Sequence, residues 1–184
     1  SKSQQSPGIR ESFNEGWKFI RYDYAHNESA GQREPENFHL LLPASDLNWE
    51  DVDLPHDWAI RGPFSDTLEN NTGLLPWKAI GWYMKSYYSG PGDRGRKIYI
   101  EFGGAMANAA IWVNGKFAGE WPYGYTSVRV DITPFLAEKG ENIIAVRLDT
   151  KNWDSRWYPG AGLYRNVWIV RTSPLLTRTP TGDA

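Results

Sequence analysis

Hydrophobic and polar residues alternate along most of this chain, and no long segment keeps the period of a helix. In residues 97–102 the alternation puts Ile98, Ile100 and Phe102 on one face. Successive side chains of a β-strand point to opposite faces, so the pattern predicts a strand with one buried face. The same alternation predicts strands in residues 81–89, 110–113, 127–132, 142–148 and 165–171.

Turn signals separate the predicted strands. Asn114-Gly115 predicts the tight turn of a β-hairpin over residues 107–120, because both residue types accept positive φ. Thr133 and Pro134 suit the N-cap and the first position of a single helical turn. Short strands separated by such turns predict an all-β fold, a jelly-roll β-sandwich.

The chain has 184 residues, which is enough to bury the core of one large domain. We assign residues 12–172 to this domain and residues 1–11 to a polar N-terminal tail. Residues 173–184 are rich in Thr and Pro and are interpreted as a linker toward a second domain. Residues 24–45 are less regular than the rest, and a loop with a little helix is expected there.

Composition excludes several classes of protein and site. The net charge is −2 with mixed signs, unlike the basic surface of a nucleic-acid binder. No apolar run approaches the roughly 18 residues of a membrane-spanning helix. The absence of cysteine excludes disulfides and thiolate metal sites. Residues 1–7 lack the apolar stretch of a signal peptide, so either the protein is not exported or a signal was removed; a bacterial periplasmic or extracellular location stays open.

Aromatic residues are unusually frequent, at 15% of the chain. Some must form the core, because aromatic side chains bury large areas. Others stand beside Gly and Pro in predicted loops, where proteins commonly place binding groups. Four such stretches are candidates for ligand contact: residues 53–58, 75–83, 121–126 and 152–165.

A structural role is favoured for two of these stretches. His56 beside Asp57 could form a general base with its orienting partner. Adjacent residues of an extended chain point to opposite faces, however, so residues 53–58 are interpreted as a structural corner that bonds local backbone. In residues 121–126, Trp121 and two tyrosines can contact a sugar, but packing against a neighbouring loop is slightly favoured.

The other two stretches carry the main binding candidates. Trp77 can stack on a sugar ring beside Lys78, or it can cover the end of the core while Lys78 is solvated; both interpretations stay open. Carboxylate and guanidinium groups can form hydrogen bonds to sugar hydroxyls, and aromatic rings can stack on the sugar. The long loop at residues 152–165 contains side chains of all three kinds. Its candidates for ligand contact are Asp154, Arg156, Trp157 and Tyr158. The alternative is an internal Asp154–Arg156 pair that only stiffens the loop.

No catalytic group and no cofactor is predicted. The acidic residues occur in polar turns or point outward on strands, and no two are marked as the acid and nucleophile of a glycosidase. Phosphate-binding glycine loops, zinc-binding helices and a nucleophile elbow are absent, and the three histidines lack ligand spacing. A Ser–His–Asp site without a recognisable pattern stays open.

Five stretches, in consistent order, resemble the N-terminal domain of family 2 glycoside hydrolases, the family of β-galactosidases, β-glucuronidases and β-mannosidases. They are LPHDW (54–58), GWYMKSY (81–87), IWVNGKFAGEWPYGYTSVRVDIT (111–133), NIIAVRLD (142–149) and RWYPGAGLYRNVWIV (156–170). The similarity covers residues 12–172, and RWYPGAGLYR together with WVNG looks most like the β-galactosidase branch.

The resemblance implies a galactose-binding-like jelly roll, usually called the sugar-binding domain. In such enzymes an immunoglobulin-like domain follows, and then a barrel that supplies both catalytic glutamates. The chain ends where that second domain is expected and is interpreted as an excised first domain. The implied partners are those two domains and a β-galactoside-like carbohydrate, with no nucleic acid and no membrane.

The resemblance also implies where sugar contacts would lie. In the family, the loop before GLYR and the loop before GWY can each place a polar residue near the first sugar subsite. Here the first loop maps to Asp154 or Arg156, and the second to Lys78 or its neighbours. Some relatives carry Asp and Asn at these places, so Arg156 and Lys78 depart from the pattern. The leading hypothesis is a non-catalytic domain that buttresses the barrel and lends rim residues to the subsite. The alternatives are an autonomous carbohydrate-binding module and a purely structural sandwich.

Overall fold

Two antiparallel β-sheets pack face to face in a computed structural model of the chain, which describes residues 8–24, 33–43, 47–58, 79–122, 124, 126–150 and 160–173. The strands in the described ranges are β1 (Ile9–Ser12), β2 (Trp17–Asp23), β3 (Glu50–Val52), β4 (Ala79–Ser89), β5 (Ile98–Phe102), β6 (Ala109–Val113), β7 (Lys116–Trp121), β8 (Val128–Asp131), β9 (Gly140–Asp149) and β10 (Val167–Arg171). One sheet has the order β1-β10-β5-β8, and the other has the order β3-β2-β4-β9-β6-β7. The predicted all-β sandwich is therefore confirmed.

Helical structure is limited in the described ranges. Short 3-10 turns lie at Phe38–Leu40, Pro91–Asp93 and Thr133–Phe135. None of the helices described is long and apolar enough to cross a membrane. The first of these turns falls in the irregular segment where a little helix was expected, so that expectation is confirmed.

The main core lies between the two sheets, and the alternating residues supply it as predicted. The inward residues of β5 and β9 are fully buried: Ile98, Ile100, Phe102, Ile144, Val146 and Leu148. Burial of each such side chain stabilises the fold by roughly 1.5–3 kcal/mol. The period of two in the sequence therefore corresponds directly to the faces that the sheets turn toward each other.

The outer face of the six-stranded sheet is covered by residues 33–43. Trp82 of β4 points to this side and packs edge-on against Phe38, with ring centroids 5.0 Å apart. Arg147 of β9 binds Glu34 through two hydrogen bonds of 2.6 and 2.9 Å, and Trp82 Nε1 donates to the same carboxylate at 2.7 Å. This second small core explains why β4 carries aromatic residues on both faces.

The predicted hairpin is formed by β6 and β7, with Asn114 (φ 52°) and Gly115 (φ 76°) at its turn. Asn114 Nδ2 donates to Asn142 Oδ1 at 2.9 Å. Asn142 is fully buried, and its side chain also bonds Ala137 N at 2.8 Å and Tyr87 O at 3.1 Å. A buried amide without these partners would cost about 1–3 kcal/mol, so this side chain holds the hairpin turn in place.

The predicted N-cap role of Thr133 is wrong. The turn has Pro134 near its start, as predicted, but its N-cap residue is Ile132 and no side chain caps it. The Thr133 hydroxyl instead accepts a hydrogen bond from Ile98 N at 2.7 Å and donates one to Ile98 O at 3.2 Å. The paired residues of β5 and β8 stop at Tyr99 and Asp131, one residue away, and Ile98 O still accepts a backbone bond from Ile132 N at 3.0 Å. The hydroxyl therefore supplies the acceptor for the Ile98 N–H.

Strand β1 begins at Ile9, inside the range 1–11 that was assigned to a polar tail. It pairs with β10 from Ile9↔Arg171 to Ser12↔Trp168. All of its side chains are exposed, and no hydrophobic alternation marks it in the sequence. The strand is held by its backbone pairing with β10 and by surface ion pairs of Arg10 with Glu101 and of Glu11 with Arg171.

At one end of the sandwich, residues 161–163 are hydrogen-bonded on both sides. The backbone N–H groups of His56 and Trp58 donate to this segment over 2.8 and 3.0 Å. On its other side, Gly162 and Met106 exchange two backbone bonds of 3.0 Å. The segment is therefore fixed like a central strand although it lies outside the two sheets.

Gly162 lies at the centre of this arrangement with φ +118°, a conformation that side chains other than glycine rarely adopt. A Cβ atom on Gly162 would lie 2.5 Å from Tyr83 Oη and 2.7 Å from His56 O. Tyr83 is fully buried, so its ring has little room to move aside. The close approach of these elements thus requires glycine.

The other end of the sandwich is tied together by Arg171 of β10. Its guanidinium bonds Asp93 at 2.7 Å and Glu11 at 2.6 Å. Asp93 also accepts hydrogen bonds from Tyr87 Oη at 2.9 Å and Gly90 N at 3.1 Å. Burial raises the pKa of Asp93, but the hydrogen bonds from Arg171, Gly90 and Tyr87 outweigh it, so the pKa lies below its ordinary value.

We expect Gly162→Ala to destabilise the chain by about 3 kcal/mol or more, because backbone strain and steric overlap add at this position. Denaturant unfolding followed by tryptophan fluorescence measures the change. Gly92→Ala is the matched control, since nothing lies within 4 Å of its added Cβ, and it should change stability by less than about 0.5 kcal/mol. Equal effects of the two substitutions would contradict the prediction.

We expect the free energy of unfolding to fall more steeply in the wild type than in Asp93→Asn as the pH drops from about 5 to about 3. A lowered folded-state pKa contributes stability that is present above the unfolded pKa and is lost as pH falls through the folded value. Urea denaturation of both proteins across this range checks the difference. Superimposable pH profiles would show that Asp93 contributes nothing of this kind.

Candidate functional site

The bases of both predicted binding loops meet at the sandwich end that contains Gly162. Ala79 begins β4 directly after Trp77 and Lys78, and Thr150 follows β9 directly before residues 151–159. Ala79 N donates to Thr150 Oγ1 at 2.9 Å, and Thr150 N and Oγ1 each donate to Ala79 O at 3.1 Å. Both Ala79 and Thr150 are fully buried. The two stretches therefore leave the sandwich from one hydrogen-bonded point.

A neighbouring strand end holds the same point. Asp149 N donates to Ala107 O at 2.9 Å, and Asn108 Nδ2 donates to Asp149 O at 3.0 Å. The Asp149 carboxylate accepts a hydrogen bond from Tyr24 Oη at 2.6 Å. Burial, and then this hydrogen bond, raise the pKa of Tyr24 well above its ordinary value, so the phenol stays protonated. The ends of β2, β4, β6 and β9 are thus joined here.

The far base of the longer stretch is also fixed, at Gly160 and Ala161. Asp57 Oδ1 accepts a hydrogen bond from Ala161 N at 3.3 Å. From Ala161 onward the chain enters the segment that is bonded on both sides. We name the region around Ala79, Thr150 and Gly160 the loop end of the sandwich.

His56 and Asp57 are directed to different partners, as the argument from adjacent residues predicted. His56 is buried, with Nδ1 2.6 Å from Tyr83 Oη and its ring centroid 4.7 Å from that of Phe19. Asp57 accepts a hydrogen bond from a backbone N–H, as expected, but the N–H belongs to Ala161, 104 positions away. The observed bond is therefore not to the local backbone. The geometry supports a structural role for this motif, since His56 is buried and packs against Phe19.

The residues predicted to contact a ligand lie outside the described residues. They are Trp77, Lys78, Asp154, Arg156, Trp157 and Tyr158. Their roles therefore stay predictions, and the described residues contribute the positions of the flanking backbone.

Trp121, in the third candidate stretch, belongs to the core. Its side chain is 8% exposed, and its ring lies 5.2 Å from that of Phe102. The packing interpretation is therefore confirmed for Trp121, while Tyr123 and Tyr125 lie outside the described residues. Trp121 Nε1 is buried without a hydrogen-bond partner.

Sequence reasoning missed the parts that hold the loop end together. Thr150 stands two residues beyond a predicted strand, and Met106 and Asn108 come before the first observed strand of the hairpin, with no pattern of their own. The one local signal was Gly103-Gly104, which allows close approach: a Cβ on Gly104 would lie 2.8 Å from the Tyr164 ring. The partners of Thr150 and Met106 are distant in sequence, so no local pattern could have identified them.

A concavity of about 510 Å³ lies on the outer face of the six-stranded sheet. Trp112 and His39 form part of its wall, with their rings stacked at 5.0 Å. Two of its charged residues, Glu34 and Arg147, already bond each other. Across the described part of the chain, no three acidic or histidine side chains come together as metal ligands would. The loop end is therefore the better candidate.

Comparison with known proteins places the chain within larger enzymes. No protein-family model matches it. It is 39% identical over 178 residues to a β-galactosidase of Bacteroides ovatus, covering 95% of this chain and 19% of that protein. It is 34% identical over 168 residues to a putative β-glucuronidase of Formosa agariphila, covering 90% of this chain and 15% of that protein. The chain thus spans about one fifth or less of the length of these relatives.

Solved structures of larger glycosidases also match this chain. A glycosyl hydrolase family 2 member from Bacteroides cellulosilyticus matches with a TM-score of 0.65 and 33% identity, over 90% of this chain and 21% of that one. A β-glycosidase from Bacteroides vulgatus matches with a TM-score of 0.69 and 33% identity, over 90% of this chain and 20% of that one. The resemblance seen in the sequence is confirmed: this chain belongs to the family 2 glycoside hydrolases, of which it represents a part the size of an N-terminal domain.

Proposed function

We propose that the chain is a non-catalytic domain of a larger, β-galactosidase-like family 2 glycoside hydrolase. In this role it buttresses the catalytic barrel and lends rim residues to a sugar subsite. The observation that carries the proposal is the shared base at Ala79 and Thr150, because the segments that leave it contain every predicted contact. These contacts are Trp77, Lys78, Asp154, Arg156, Trp157 and Tyr158.

The described carboxylates support a non-catalytic role. A glycosidase acid needs a raised pKa, so that it holds a proton at neutral pH. Glu101 is bonded by Arg129 and Arg10 at 2.8 Å each, and the Arg129 bond in particular lowers its pKa against the opposing effect of burial. Glu34 and Asp93 are likewise bound by arginines. The lowered pKa values of Glu101 and Asp93 make these two carboxyls poor proton donors.

The larger protein would supply the chemistry. The short share of each relative that the chain covers supports further domains, which we propose to be an immunoglobulin-like domain and a barrel with two glutamates. Residues 12–172 would form the first domain, and residues 173–184 would lead toward the second. The coding sequence downstream of residue 184 tests this arrangement: a barrel with two glutamates supports it, and a stop codon contradicts it.

The proposed substrate class is a β-galactoside-like carbohydrate. The β-galactosidase of Bacteroides ovatus supports this choice. Lys78 and Arg156 favour a β-glucuronoside as the alternative, because a cation can pair with the carboxylate of the sugar. The similarity to a putative β-glucuronidase is consistent with that alternative.

We expect Arg156→Ala and Asp154→Ala in the full-length enzyme to lower kcat/KM about 10- to 100-fold, since each removes charge-assisted hydrogen bonds to substrate. Assays with p-nitrophenyl β-galactoside and β-glucuronide measure the loss and identify the preferred sugar. Arg94→Ala is the matched control, because Arg94 is exposed at the opposite end of the sandwich. Unchanged constants in both loop variants would favour a purely structural sandwich.

We expect the isolated 184-residue chain to give no saturable heat with galactose or a methyl β-galactoside at millimolar concentration. The proposed subsite is completed only by the barrel, so the domain offers part of a site. Isothermal titration calorimetry measures this directly. Saturable binding with a Kd below about 1 mM would instead identify an autonomous carbohydrate-binding module.

A further inference from the structure

The hairpin turn between β6 and β7 contains a pair of residues that can react with each other. Asn114 is the one asparagine of the chain that is followed by glycine, and its side chain is exposed to water. In such a pair the glycine nitrogen can attack the carbonyl carbon of the asparagine side chain, because glycine has no Cβ atom to obstruct the approach. The turn therefore contains the reactants of a deamidation, in which an amide is converted to a carboxylate.

The reaction has two steps and needs only water as a further reactant. In the first step Gly115 N bonds to Asn114 Cγ, the Cγ–Nδ2 bond breaks, and ammonia leaves with the proton of the Gly115 N–H. The product is a cyclic imide. In the second step water opens the imide: attack at the side-chain carbonyl carbon gives aspartate, and attack at the backbone carbonyl carbon gives isoaspartate, in which the main chain runs through the former side chain.

Three hydrogen bonds hold the Asn114 side chain in one orientation. Nδ2 donates to Phe135 O and to Asn142 Oδ1, each at 2.9 Å, and Oδ1 accepts from Ile143 N at 2.9 Å. Asn114 N also donates to Ile143 O at 2.9 Å, so backbone and side chain together extend the pairing of β6 with β9. The nitrogen that must leave as ammonia makes two of the three bonds. The reaction therefore requires this arrangement to open first.

Asn142 fixes the arrangement from the interior of the sandwich. It is fully buried, and its Nδ2 donates to Ser89 Oγ at 2.8 Å and to Tyr87 O at 3.1 Å. Its Oδ1 accepts from Asn114 Nδ2 and from Ala137 N, at 2.9 and 2.8 Å. The acceptor that faces Asn114 is thus anchored on β4, and its own orientation cannot change without leaving buried polar groups unpaired.

We propose that Asn114-Gly115 is a latent deamidation site, which Asn142 keeps closed and which is converted irreversibly once the hairpin turn opens. Turns can open locally, at a lower free energy than global unfolding requires. After conversion to aspartate, a carboxylate oxygen replaces Nδ2 and faces Phe135 O and Asn142 Oδ1. All three are acceptors and cannot bond one another, so the turn cannot close as before. The inference goes beyond the proposed function and does not depend on it.

The test follows deamidation of the 184-residue chain at mildly alkaline pH, in buffer and in denaturing urea. Trypsin releases residues 98–116 as one peptide, in which fragmentation by mass spectrometry separates Asn114 from Asn108. Asn108 precedes alanine and is the internal comparison. We expect Asn114 to deamidate at least about 10-fold more slowly in the folded chain than in the unfolded chain, because several hydrogen bonds must break first.

Variants of the anchoring residues test the role of Asn142. We expect Asn142→Ala to raise the rate at Asn114 in the folded chain about 10-fold, and Ser89→Ala, which removes one partner of Asn142, to raise it about 3-fold. Ser86→Ala is the matched control on the same strand, since its hydroxyl bonds Glu141 at 2.6 Å and does not contact Asn142; its rate should equal that of the wild type.

The second readout is the stability of the product. Asn114→Asp reproduces the aspartate form, and we expect it to unfold at a lower urea concentration than the wild type, because the new carboxylate faces two acceptors. A midpoint equal to that of the wild type would contradict the irreversible part of the inference.

Each outcome of the rate measurements supports or overturns the inference. Equal rates at Asn114 in folded and unfolded wild type overturn it, since the fold would then give no protection. A wild-type rate in folded Asn142→Ala overturns it as well. If Asn142→Ala does not fold, the comparison of Ser89→Ala with Ser86→Ala decides: a faster rate in Ser89→Ala alone supports the inference, and equal rates overturn it.

Discussion

Hydrogen bonding on both sides of residues 161–163 is the constraint on which the loop end depends. These residues bond the corner at His56 and Trp58 on one side and Met106 on the other. The arrangement closes only because Gly162 has no side chain, since a Cβ would overlap Tyr83 and His56. The corner at residues 56–58, the backbone of Met106 and residues 161–163 are distant in sequence. The hydrogen bonds join them into one rigid support.

This support fixes the backbone positions from which the two candidate binding stretches extend. The two stretches with candidate sugar contacts leave from Ala79 and Thr150, and the longer one returns at Gly160. A binding site works best when its contacting groups lie on a well-packed support, because orientation is lost when the base moves. Three motifs that carry the family resemblance lie beside these stretches: LPHDW, GWY and GAGLYR. They pack on one another and form part of this support.

Charged residues in the described part of the chain serve the fold. Arg171 joins Asp93 and Glu11 at the end opposite the loops, and Arg147 with Glu34 fastens residues 33–43 over the six-stranded sheet. The hydrogen bonds from Arg171, Gly90 and Tyr87 hold the pKa of Asp93 below its ordinary value, so this carboxyl loses the proton that an acid catalyst must keep. These ion pairs are therefore consistent with the non-catalytic role that we propose for the chain.

The sequence by itself determined the local elements. Alternation identified the inward faces of β5 and β9, and Asn114-Gly115 identified the hairpin turn, because these features depend on the period of a strand and on φ preferences of single residues. Ordered motifs identified the family. Strand β1 escaped detection because its side chains are exposed and show no hydrophobic alternation.

Tertiary structure alone decided which residues meet. Thr133 suits a helix cap locally, yet its hydroxyl bonds Ile98, because the Ile98 N–H at the end of β5 needs an acceptor. Thr150 looks like an ordinary residue after a strand, yet it bonds Ala79 and so joins the end of β9 to the start of β4. Partners 71 positions apart leave no local pattern, since hydrogen bonds form between neighbours in space. The sequence therefore specified the candidate contacts, and the fold decided the common base from which they extend.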